Sequence, residues 1–304
     1  MIRWITDNRA VGTKKTYTGY ARRYMDFVVK RGLDPVVQPS LCAFMKHGLE
    51  DGLGRSTLVN VIPAAVADIF KFEPDGPNRA PEGNALLKQA KDTIKRLTAP
   101  SKSKSPVTRD QLSLMGEVCT EKPLDIRDMC ILVFMCIGWF RESEAMALLE
   151  EHVQLELLEG VSQGESLVLI IKKSKTDKFH QGATVVLAGC PGHKLCPVAW
   201  YKRYIKCREK GRTFFTQEGK GRGGALGPTK PNFVIKDWLR RIGIDPKGYG
   251  SHSLRRGGTT AAMQAKVRTH LIKRHGRWSS DAVYLYMVDD VHARLEVSRK
   301  VMGL

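Results

Sequence analysis

Residues 98–106, Thr-Ala-Pro-Ser-Lys-Ser-Lys-Ser-Pro, constrain the folding of this chain more than any other stretch. Two prolines, three serines and two lysines offer nothing to bury. Each proline also removes a backbone donor and biases the residue before it away from the helix. No helix or strand is expected to run through this segment. The 304 residues therefore read as two domains, 1–97 and 108–304, joined by a linker at 98–107. Each is long enough to close its own core.

The first domain reads as helical. Tyr17, Tyr20, Tyr24, Phe27 and Val28 recur at helical spacing, which predicts a helix capped by Thr13 and running to Arg31. Lys14, Lys15, Arg22 and Arg23 lie on its other face, and Gly32 and Pro35 end it. Leu41–Leu49, Ser56–Phe72 and Glu82–Leu97 follow as helices, with Pro63 in the first turn or at a kink of the third. In the second domain, helices are predicted at Thr108–Cys119, Asp125–Ile137 and Arg141–Leu149. β-rich runs then appear at Val153–Leu158, Ser166–Ile171 and Thr184–Ala188. The last two runs flank a lysine-rich turn. Helices return at 197–209, 230–242, 254–266, 268–275 and 280–298. The expected class is mainly α with a small antiparallel sheet (α+β). The Gly219–Gly227 loop lacks the lysine-serine ending of a nucleotide-binding P-loop.

Charge narrows the partner. Fifty Lys and Arg face 31 Asp and Glu, a net charge of +19 spread over both domains. A long polyanion fits this better than a small acidic metabolite. Seven cysteines at irregular spacing predict free thiols in a reducing intracellular compartment. The longest apolar run, Met129 to Phe140, suits a core helix and is too short for a membrane span. Cys190-x-x-His193-x-x-Cys196 misses the usual zinc pairing and reads as a loop entering a helix through Pro197. No metal and no cofactor are expected.

The chemistry concentrates in a few short motifs. Gly138-Trp-Phe-Arg-Glu-Ser-Glu144 places Arg141 after a helix break, and Ser174-Lys-Thr-Asp177 places Lys175 on the hairpin beside Lys172 and Lys173. Ser251-His-Ser-Leu-Arg-Arg-Gly257 carries His252, Arg255 and Arg256. Gly276-Arg-Trp-Ser-Ser280 carries Arg277 and Trp278, and Tyr284 and Tyr286 follow. Each alone has an ordinary reading: a surface pair between Arg141 and Glu144, a solvated lysine hairpin, a helix-capping His252. Together they can bind a phosphate, stabilise a charged transition state and supply an oxygen nucleophile without a metal.

Their order resembles the tyrosine recombinase (phage integrase-like) family, over residues from about 106 to the end. The first domain agrees with the family's core-binding domain in size, helicity and charge only. Lys273-Arg-His-Gly-Arg-Trp278 and Arg294-Leu-Glu-Val-Ser-Arg-Lys300 further resemble recombinases of eukaryotic mobile elements of the DIRS and Crypton kind. The resemblance implies that Tyr286 attacks a DNA phosphodiester to form a 3′-phosphotyrosine, with Tyr284 as the alternative nucleophile. Arg141 and Arg255 would hold the non-bridging oxygens, and Lys175 would protonate the leaving 5′-oxygen. His252 would bond the phosphate, Trp278 would donate from its indole N–H, and Glu144 would orient its neighbours. Lys14, Lys15, Arg22, Arg23, Lys102, Lys104, Lys172, Lys173, Arg256 and Arg277 are candidate DNA contacts.

The implied partners are double-stranded DNA at specific sites, a Holliday junction and three further copies of the chain. The tail from Val288 would pack in cis or be exchanged between protomers. The implied role is integration or excision of a mobile element, in the nucleus of a eukaryote or otherwise in the cytoplasm or nucleoid. A type IB topoisomerase and a domesticated, non-catalytic DNA-binding protein are the rival readings.

Overall fold

The computed structural model describes residues 11–70, 85–100, 103–157, 164–174, 177, 181–218, 223–286, 295, 299 and 301–302. The chain divides into two compact units, Met1–Ser103 and Lys104–Leu304.

The first unit is helical: α1 (Val11–Arg31), α2 (Gln38–Glu50), a π-helical turn (Thr57–Val61) leading into α3 (Ile62–Ile69), and α4 (Ala85–Leu97). Tyr24, Phe27 and Val28 of α1 are buried against Leu41, Phe44 and Met45 of α2 and Ile62 and Val66 of α3. Two expectations change here. Thr13 does not cap α1, because the helix already begins at Val11. The third predicted helix is also two pieces. Pro63 sits in the first turn of α3, where its missing N–H is not needed, and the wider π turn precedes it.

The second unit is built around α6 (Pro123–Ile137), whose residues from Met129 to Cys136 are all buried. Around it stand α5 (Arg109–Glu117), α8 (Pro197–Cys207), α9 (Lys230–Arg241) and α10 (Ser251–Gln264). Thr108 caps α5 in a full capping box with Gln111. The short α7 (Glu142–Met146) leads through a 3-10 turn to an antiparallel sheet in the order β1 (Val153–Leu157), β2 (Glu165–Ile171), β3 (Ala183–Ala188). In the central strand Leu167, Leu169 and Ile171 turn inward, so one face of the sheet closes on the core. The helix predicted from Arg141 reached Leu149, but α7 stops at Met146. The chain then bridges to Thr213, with Phe214 N–H donating to the Leu148 carbonyl at 2.7 Å. After α11 (Thr269–Gly276) comes a 3-10 helix at Asp281–Tyr286, where an α-helix over 280–298 was expected.

Close packing of α10 on the end of α6 depends on glycine. A Cβ at Gly258 would lie 2.0 Å from the Cys136 carbonyl oxygen and 2.3 Å from Trp139 Nε1. The first is backbone and cannot swing aside. Gly258→Ala is expected to lower stability by about 1–3 kcal/mol, read as a lower thermal midpoint; an unchanged midpoint would contradict this packing.

Among the described residues, no helix is long and apolar enough to cross a membrane. Among them, too, no group of three His, Cys, Asp or Glu side chains is placed to hold a metal ion. All seven cysteines are free, with Cys130 and Cys136 buried.

Candidate active site

Three chain segments of the second unit meet at the Glu144 carboxylate. Glu144 lies in the first turn of α7 and is buried. One carboxylate oxygen accepts from Arg141 Nη1 and from the Ser174 hydroxyl at 2.7 Å. The other accepts from the Arg141 backbone N–H at 2.9 Å and from Arg277 Nη2 at 2.9 Å. Burial alone would raise the Glu144 pKa and is the largest single influence. Arg277, the backbone and side chain of Arg141, and Ser174 together outweigh it and hold the group below its ordinary value.

Arg255 stands on α10 and is fully buried. Its Nη1 donates to the Trp139 carbonyl and its Nη2 to the Gly276 carbonyl. Trp139 adopts φ of +50°, a left-handed conformation uncommon for a bulky residue, and its carbonyl meets both Arg255 and Arg277. The Arg255 guanidinium carbon lies 4.1 Å from the centre of the Trp278 ring and 5.6 Å from that of Tyr286. These rings cover a buried cation with their negative faces. Burial, then Arg141 and Arg277, lower its pKa to about 9, which leaves it charged at neutral pH.

A cleft of about 430 Å³ opens beside this cluster, lined among others by Arg141, His252, Arg277, Trp278 and Tyr286. His252 is exposed in the first turn of α10, whose N-cap is Gly250, so it does not cap the helix. Its ring centre is 6.4 Å from that of Tyr286, and Trp278 is 5.2 Å from Tyr286. Tyr284 points the other way and is 56% exposed. The 3-10 geometry makes this choice, because residues three apart share a face: Val283 and Tyr286 turn inward, Tyr284 and Leu285 outward. His275 also turns inward. Its Nε2 lies 2.8 Å from the Ile137 carbonyl and its ring packs edge-on against Trp139. Burial, with Arg277 and Arg255, holds it below its ordinary pKa.

Arg141, Glu144, His252, Arg255, Trp278 and Tyr286 are thus brought together. Lys175 and Lys102 lie outside the described residues. Lys15, Arg22, Arg23, Lys104, Lys172 and Lys173 are exposed, while Lys14 and Arg256 are half-buried. Arg277, one of the candidate DNA contacts, lines the cleft and is also bonded internally. Its Nη1 donates to the Gly138 and His275 carbonyls at 3.2 and 2.9 Å, and its Nη2 to the Trp139 carbonyl at 2.8 Å and to Glu144. It is an internal brace, held in place by its own left-handed backbone at the end of α11. Sequence reading also passed over Ser174, whose neighbour Lys175 took the attention.

The arrangement has the fold of a tyrosine recombinase catalytic domain, mostly helical with a three-stranded antiparallel sheet. The chain is 26% identical over 207 residues to an integrase/recombinase XerD homolog of Selenomonas ruminantium, a match covering 66% of this chain and 59% of that protein. Among solved structures, it superposes on a Tn1549 transposon integrase in complex with transposon right end DNA with a TM-score of 0.64. That match is at 14% identity and covers 98% of this chain and 96% of the other. The XerH site-specific recombinase bound to a palindromic difH substrate gives a TM-score of 0.62 at 16% identity, covering 88% and 73%. No family model matches this chain. The sequence likeness is to a protein of the recombinase kind, and the structural likenesses are of fold.

Proposed function

We propose that this chain is a site-specific DNA recombinase that cuts and rejoins strands through a tyrosine ester. The observation that carries this reading is the single cleft in which Tyr286, His252 and Arg141 meet beside the buried Arg255. The Tyr286 hydroxyl gives up its proton, with His252 assisting the transfer, as its oxygen attacks phosphorus; the bond to the 5′-oxygen breaks, and a 3′-phosphotyrosine remains on the enzyme. Lys175 supplies the proton to the departing 5′-oxygen. The ester conserves the phosphodiester bond energy, so a 5′-hydroxyl rejoins the strand by the reverse attack. Arg141 and Arg255 neutralise the phosphate oxygens with forked donors that stay charged, while His252 and the Trp278 indole N–H add hydrogen bonds. For phosphate to reach the fully buried Arg255, the Trp278 and Tyr286 rings that cover it have to shift. That motion exchanges a cation–ring contact for a charge-assisted hydrogen bond in a dry site.

The XerH, Tn1549 and lambda integrase structures hold DNA substrates, which supports a DNA partner here. The proposal includes action as a tetramer through a Holliday junction on paired sites, with the tail after Tyr286 packed in cis or exchanged between protomers. Mobilisation of an element in a eukaryotic nucleus rests on the sequence runs 273–278 and 294–300. A suicide substrate nicked near the cleavage site tests the enzyme reading: a covalent adduct supports it, and binding without any adduct leaves a DNA-binding protein. Relaxation of supercoiled DNA of arbitrary sequence by a monomer would favour the topoisomerase instead. With about six phosphate contacts, affinity is expected to fall about 10³-fold between ~50 and ~200 mM salt. A flat titration would count against backbone binding.

A further inference from the structure

We propose that Ser174 is a positioning residue that anchors the β2–β3 connection, just before Lys175 in sequence, on the phosphate-binding arginine; this rests on the recombinase reading above. The Ser174 hydroxyl does two things at once: it donates to Glu144 at 2.7 Å and accepts from Arg141 Nη1 at 2.9 Å. A hydroxyl serves both with one atom: it donates to a carboxylate, which only accepts, and accepts from a guanidinium, which only donates. The bond spans 33 residues of chain and ties the β2–β3 connection to α7. The connection also closes on itself. The Asp177 N–H donates to the Ser174 carbonyl at 3.1 Å, and the Asp177 carboxylate accepts from the Gln181 and Gly182 N–H groups at 3.1 and 2.8 Å. The two residues that bracket Lys175-Thr176 in sequence are therefore bonded to each other, and one of them is anchored on the arginine.

Adjacent Cα atoms are about 3.8 Å apart, so the Ser174 anchor limits where Lys175 begins. Arg141 and Glu144 remain paired without it through their own ion pair. Loss of the hydroxyl should then spare phosphate binding and misplace the proton donor. Misplacement by about 1 Å costs a catalytic group on the order of 10²-fold.

The test compares two suicide substrates in single-turnover cleavage, one with a 5′-bridging oxygen at the cut and one with sulfur. A thiolate leaves without a proton, so the sulfur substrate bypasses the lysine. Ser174→Ala is expected to slow the oxygen substrate by about 10²-fold and to cleave the sulfur substrate near the wild-type rate, with DNA affinity unchanged. Lys175→Ala should show the same pattern more strongly. Ser174→Thr should restore the oxygen rate and Ser174→Val should not, a pair that isolates the hydroxyl if alanine disturbs folding. Equal slowing of both substrates by Ser174→Ala and Ser174→Val, or slowing of neither, would overturn the role of Ser174. A wild-type protein that forms no adduct with either substrate would instead overturn the recombinase reading on which the role rests.

Discussion

Tyr286→Phe is expected to bind DNA as the wild type does and to form no covalent adduct on a nicked substrate, a loss of roughly 10³-fold or more, as befits removal of a covalent nucleophile. The substitution removes one oxygen and keeps the ring. The contacts of that ring with Trp278 at 5.2 Å and with the Arg255 guanidinium at 5.6 Å therefore survive, and the fold and the phosphate pocket should survive with them. Tyr284→Phe is the matched control. Its side chain is 56% exposed on the far face of the same 3-10 turn and lies outside the cleft lining, so adduct formation should be unaffected. An adduct that persists in Tyr286→Phe, or one that vanishes in Tyr284→Phe, would reverse the assignment.

Glu144→Gln is expected to be the most destabilising isosteric change in the site. One carboxylate stands among Arg141, Arg277 and Arg255, and its side chain is wholly shielded from solvent. Glutamine keeps the shape but removes the counter-charge and offers an NH₂ where a guanidinium already donates. Leaving buried charge uncompensated in this way costs about 3–5 kcal/mol, measurable as a lower denaturant midpoint at neutral pH. The pH dependence has a definite sign. The folded pKa of Glu144 is depressed, so its contribution is fully present above the unfolded value of about 4.3 and is lost as pH falls through the lower folded value. Wild type and Glu144→Gln should therefore differ most at neutral pH and converge in acid. A gap that stays constant down to strongly acid pH would mean the carboxylate is not the counter-charge to these arginines.

Much of the fold was legible because the relevant signals are local. The stripe of Tyr24, Phe27 and Val28 is buried as its spacing predicts, a helix opens beside Thr108, and Pro197 stands at a helix start. The three β-rich runs form one sheet because alternation encodes a buried face, and the pairing of β2 with β3 follows from the short polar connection between them. Errors came where tertiary contacts overrule local pattern. The Arg141–Leu149 helix was too long because Leu148 and Leu149 are recruited to pair with residues 213–214. The helix predicted from residue 280 assumed α periodicity, whereas a buried Val283 and a half-buried Tyr286 three residues on accompany a tighter, three-residue turn.

The residues that could carry the chemistry, their order and the sign of the protein's charge were determined by the sequence alone, since residue type and spacing along one chain suffice to define them. Which of them face one another was decided only by the tertiary structure. Glu144 and Arg277 are 133 positions apart, and no local pattern announces that the fork of that arginine is filled by three carbonyls and a carboxylate. Nor does sequence spacing distinguish Tyr286 from Tyr284, two positions away. The physical reason is that a side chain's direction depends on the pitch of its helix and on which neighbours bury it. Here both depend on how α10 and α11 pack on the end of α6.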